Sequence, residues 1–80
     1  MSLRDEILNA LVSHAEGEIA IHKANVEVYL NNPAGIGEHS DILPSMQKEL
    51  DSIAAANDRL EILHKYFHKS NEQMTLFENK

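Results

Sequence analysis

Asn31-Asn32-Pro33-Ala34-Gly35-Ile36-Gly37 separates two long stretches of helical periodicity, and reading it as a turn decides the fold. Pro33 cannot continue a helix, and Asn32 before it is pushed towards an extended conformation. Gly35 and Gly37 bracket Ile36, which reads as a plug that packs the loop onto the helix ends. A Gly-x-Gly pair can hold a phosphate when a strand precedes it and a helix dipole follows. No strand pattern precedes this one, so a turn is the preferred reading. The two stretches then fold back on each other as an antiparallel helical hairpin, and the chain is all-α.

Upstream of the turn, Ser2 is a good N-cap, with Asp5 three positions on completing a weak capping box. Apolar positions recur as Leu8, Leu11, Ala15, Ile19, His22, Val26 and Leu30, with spacings of three, four and four that suit a nearly straight helix. A second stripe, Ile7, Ala10, Gly17, Ile21, Ala24 and Val28, lies beside the first and is rich in small residues that let another helix come close. The polar face carries Asn9, Ser13, Glu16, Lys23 and Glu27.

Downstream, Ser40 or Asp41 serves as N-cap and Pro44 is tolerated in the first turn. The core pattern there is heptad-like: Leu43, Met46, Leu50, Ile53, Asn57, Leu60, His64 and Phe67, with Ile42, Ala56 and Leu63 widening it. A short loop sets Leu30 near Leu43 and Leu8 near His64. The expected organisation is a hairpin over 1–68 (helix about 3–31, loop 32–40, helix about 41–68) and a flexible tail over 69–80. Both apolar arcs are wider than one partner helix covers, which leaves surface a monomer would expose. A homodimeric four-helix bundle is therefore expected. Its oligomer core would be Leu43, Met46, Leu50, Ile53, Asn57, Leu60, Phe67, Leu11, Ile19 and Val26, with Asn57 pairing across the bundle to fix register.

Eighty residues form one domain at most, near the lower size limit for a chain that folds alone. The 42% apolar and 25% charged content is globular rather than disordered. With no cysteine, the fold must be held by helix packing, for which oligomerisation is the usual supplement. No apolar run reaches the ~20 residues that span a bilayer, and the acidic start Met1-Ser2-Leu3-Arg4-Asp5-Glu6 lacks a signal-peptide apolar region. The net charge of −6, without any Lys/Arg cluster, argues against binding nucleic acid or an anionic membrane surface.

Three constellations could carry function. Glu61-Ile62-Leu63-His64 is a Glu-x-x-His pattern with His68 one turn further along, and two copies in a four-helix bundle would supply part of a di-iron or di-manganese site. Such a site also needs a carboxylate from the first helix, and the positions level with His64 and Glu61 are Asn9 and Val12, neither a ligand. The preferred reading makes His64 a partly buried histidine near the bundle end, with Glu61 solvated or paired to Lys65, and assigns no metal and no cofactor. His14, Glu18 and His22 form another helical set, in which His22 is a hydrogen-bonded core histidine whose protonation would weaken assembly at mildly acidic pH. No cysteine nucleophile exists and no Ser, His and Asp set has a scaffold, so hydrolytic catalysis is not expected.

The third is the tail. Gln73-Met74-Thr75-Leu76-Phe77 resembles the pentapeptide by which polymerases and repair proteins dock into the bacterial β sliding clamp. Gln73, Leu76 and Phe77 match that motif outright, while Met74 and Thr75 depart from it conservatively. The resemblance implies a partner-binding role for Gln73, Met74, Leu76 and Phe77: an amide and apolar anchors presented by an extended segment. Against it stands the reading that Met74, Leu76 and Phe77 fold back onto the bundle end and cover apolar surface there.

Val26 to Phe67 resembles a group of small helical proteins of T4-like marine bacteriophages. The likeness is carried by Asn32-Pro33-Ala34-Gly35-Ile36-Gly37-Glu38-His39, Glu49-Leu50, Ile53-Ala54 and Tyr66-Phe67. It brings no activity with it. It implies a phage product acting in the host cytoplasm or packed in the virion. The combined expectation is a non-enzymatic, self-associating helical interaction or assembly protein; the alternative is a metal-binding four-helix-bundle oxidoreductase using Glu61, His64 and His68.

Overall fold

The structure, a computed structural model, describes residues 2–31 and 42–68. Two helices make up these segments: α1, Leu3–Leu30, and α2, Ile42–Tyr66. Among the described residues there is no strand. The turn at 32–37 and the expected caps Ser40 and Asp41 lie outside the described residues.

Ser2 caps α1, its side chain accepting from the Asp5 backbone N–H at 3.1 Å while Asp5 and Glu6 place negative charge at the positive end of the helix dipole. At the other end, the Asn31 N–H donates to the Glu27 carbonyl at 3.0 Å and the Asn31 side-chain amide donates to the same oxygen at 2.7 Å. One residue thereby satisfies a carbonyl that the last turn would leave without a donor. Pro44 sits in the first turn of α2, where no intrahelical N–H is lost.

The helices run antiparallel, as three cross-links show. Arg4 donates to the His68 carbonyl at 2.8 Å, Glu18 is paired with Arg59, and Asn25 donates to Glu49 at 2.8 Å. As numbers rise along α1, their partners fall along α2. The hairpin fold and all-α class expected from the turn are therefore the observed architecture.

The seam differs in register from the expected stripes. On α1 the positions turned inward are Leu8, Val12, Ala15, Ile19, His22, Val26 and Tyr29; on α2 they are Ile42, Met46, Glu49, Ile53, Ala56, Leu60 and Leu63. Both series alternate three and four, the spacing of a left-handed helix pair. Met46, Ile53, Leu60, Ile19 and Val26 are where the sequence puts them. Leu11, Leu43, Leu50, Asn57 and Phe67 are instead exposed in the hairpin, as is His64. Ile42, Glu49, Ala56 and Leu63 take the alternate α2 positions, each one residue before the expected one. The physical reason is visible at the deepest points. Ala15 and Ala56 are the most buried residues, at 2% and 0% exposure, and an alanine on each helix lets the backbones approach closely. Leu50 and Asn57 in those inward places would hold the helices apart, and Leu50 would displace the carboxylate that meets His22.

Candidate functional site

Two features stand out on this frame, a polar cluster inside the seam and a hollow beside it. The cluster lies towards the loop end. His22 Nδ1 is 2.7 Å from Glu49 Oε1, and the Asn25 amide donates to the same oxygen. A carboxylate only accepts, so His22 Nδ1 carries the hydrogen. The hydrogen bonds from His22 and then Asn25 hold the Glu49 carboxyl below the usual carboxylate range, against the opposing effect of its partial burial. Sequence reading identified His22 as a hydrogen-bonded core histidine, and its partner is now Glu49, 27 residues away.

The hollow lies on one flank, about 410 Å³ in volume, lined by Leu11, His14, Glu18, Arg59, Ile62 and Leu63. Glu18 is its polar anchor. It pairs with Arg59 across the seam and lies 3.2 Å from His14 Nε2 along its own helix. Leu11, Ile62 and Leu63 supply apolar walls. A hollow of this kind can receive an apolar side chain while its charged edge stays in water; nothing in it resembles a nucleophile with a base, since the one imidazole is spent on Glu18.

Steps of seven residues extend the flank along both helices. From His14 they reach Ile7, Ile21 and Val28; from Arg59, Tyr66; from Ile62, Ala55 and Lys48. Ile7, Leu11, Ile21, Val28, Ile62 and Tyr66 are each about half to two-thirds exposed. The opposite flank carries Glu6, Glu16 and Glu27 against Lys23, together with the exposed Leu30, Leu43 and Leu50. The second α1 stripe and the α1 polar face read from the sequence are thus the two flanks of the hairpin.

The metal alternative gains no geometry. Glu61 and His64 are exposed, and Glu61 accepts from Asn57 one turn earlier at 3.1 Å. Asn57 therefore donates within its own helix. His68 contributes its backbone carbonyl to Arg4. Among the described residues no three His, Asp or Glu side chains are grouped as metal ligands would be. The partner-binding candidates Gln73, Met74, Leu76 and Phe77 lie outside the described residues, as does the loop phrase that carries most of the phage resemblance.

No family model, no curated protein and no solved structure matches the chain. No helix among the described residues is long and apolar enough to cross a membrane.

Proposed function

We propose that the chain is a non-enzymatic, self-associating helical protein that acts as an interaction or assembly factor. One observation carries the reading: the hairpin leaves many of its large apolar side chains exposed. Among the described residues the buried apolar set is Leu8, Ala15 and Ala56, while eleven large apolar residues are exposed. A chain near the lower size limit for independent folding gains most from covering such surface with another copy. The homodimeric four-helix bundle is the assembly that fits two wide apolar arcs.

Sedimentation of the full chain tests this. A dimer or larger species at micromolar concentration is the expected result, and a stable monomer there overturns the proposal. The non-enzymatic part has its own check, since iron or manganese retained at one equivalent or more per dimer through purification would return Glu61 and His64 to a metal role.

The phage resemblance supports a place in the host cytoplasm or the virion, and the Gln73 to Phe77 segment supports docking to a sliding clamp as the outward-facing interaction. A pull-down with purified clamp, comparing the full chain with a Gln73→Ala, Phe77→Ala double variant, decides the latter: loss of capture is expected, and unchanged capture rejects docking through this segment.

A further inference from the structure

The self-association just proposed leaves open which face the copies share. We infer that a second copy seats on the hollow-bearing flank, so that Ile7, Leu11, Ile21, Val28, Ile62 and Tyr66 of each hairpin face the same six residues of the other across a two-fold axis. This inference rests on the self-association reading and adds to it the surface used.

Area is the first argument. Six side chains of this size at their observed exposures present roughly 600–700 Å² per copy, close to the ~800 Å² per partner of a standard stable interface. They run the length of α1 through Ile7, Leu11, Ile21 and Val28 and are joined on α2 by Ile62 and Tyr66 near its C-terminal end, with the hollow between Leu11 and Ile62; a two-fold interface is self-complementary by construction. Beside the strip, the exposed Ala10, Gly17 and Ala24 keep α1 thin; a Cβ added at Gly17 would meet nothing within 4 Å.

Charge is the second. The chain is acidic overall, yet on this flank Glu18 is already paired with Arg59, and Asp58 and Glu61, which line a second hollow with Ile62 and Tyr66, have Lys65 beside them. Arg4 and Lys48 sit towards opposite ends of the strip, away from its centre. The other flank brings Glu6, Glu16 and Glu27 with a single lysine, Lys23, so two copies meeting there would set like charges against each other. Leu30, Leu43 and Leu50 on that side cluster at the loop end and do not continue along the hairpin. Like-charge repulsion and the shorter apolar strip both disfavour that flank.

Ala54 and Ala55 offer a clean test, because they are adjacent, equal in size, both exposed, and on opposite flanks. The chain has no cysteine of its own, so Ala54→Cys and Ala55→Cys each create one thiol in the full chain. Maleimide labelling is followed above and below the concentration at which sedimentation shows dimer. The Cys at 55 should react about tenfold more slowly or less in the dimer, as for a site closed in at least nine of ten molecules, while the Cys at 54 keeps its monomer rate. In parallel, Ile62→Arg should weaken dimerisation about 100-fold or more by placing an unpaired charge in the interface, with Leu50→Arg within a few-fold of the parent. Far-UV circular dichroism of each variant at low concentration verifies that the helices are kept.

The outcomes separate the two claims. A dimer that protects position 54 instead, or that Leu50→Arg breaks and Ile62→Arg does not, leaves self-association standing and overturns the assignment of this flank. A monomer in which position 55 is nonetheless slow to react overturns both, and points to another segment of the same chain as the cover.

Discussion

The seam between α1 and α2 and the flank beside it use the same amino-acid types in opposite ways. In the seam, the deepest positions are alanines, Ala15 and Ala56, and a His22–Glu49 contact replaces an apolar layer. On the flank, isoleucine, leucine, valine and tyrosine stand about half to two-thirds exposed. A hairpin meant to be stable by itself would place those large side chains inside, where burial yields most. The exchange instead makes the two helices a thin, closely spaced pair whose outer surface holds the apolar area. Among the described residues the hairpin therefore leaves a large apolar area uncovered.

Adding volume at matched places sharpens that contrast. Ala56→Leu puts three extra carbons where nothing is exposed, and overpacking of this kind costs about 1–3 kcal/mol. A lowered midpoint in urea, measured at a fixed protein concentration because assembly is linked to folding, is the expected result. If the midpoint is unchanged, the close approach at Ala56 is not what holds the seam. Gly17→Ala adds a methyl on the outside of α1, where a Cβ has open space around it. Replacing a helix-interior glycine should raise stability by about 0.5–1 kcal/mol, and a loss would mean that something packs against this position.

The third and smallest test concerns pH. Glu49 has its carboxyl pKa lowered in the folded chain, chiefly by the His22 hydrogen bond. The stabilisation from such a shift is complete above the ordinary carboxylate value of 4.5 and is lost as pH falls below it towards the lowered folded value. Glu49→Gln should therefore flatten the acid limb of the stability profile in that window. A variant whose profile falls as steeply as the parent's would show that the seam contact carries no pH dependence.

The hairpin was legible because its signals are local. Pro33 and the paired glycines mark the turn, Ser2 marks the start of α1, and three-four spacing marks both helices. The seam register was not, because α2 carries two interleaved series one residue apart. Leu43, Leu50, Asn57 and His64 compete with Ile42, Glu49, Ala56 and Leu63, and each offers two large aliphatics. What separates them is non-local: Glu49 is the member that reaches His22, and Ala56 is the member small enough for close approach. A histidine in an apolar stripe with a glutamate in the facing one was the available clue. The flank was partly visible as the second α1 stripe, but its continuation through Ile62 and Tyr66 depends on the register and so was out of reach.

Sedimentation equilibrium of the full chain across micromolar concentrations tests the central claim most directly. The account predicts a mass of twice 9.0 kDa, falling towards the monomer only on dilution. A single 9.0 kDa species throughout that range, with its helices intact, would contradict it.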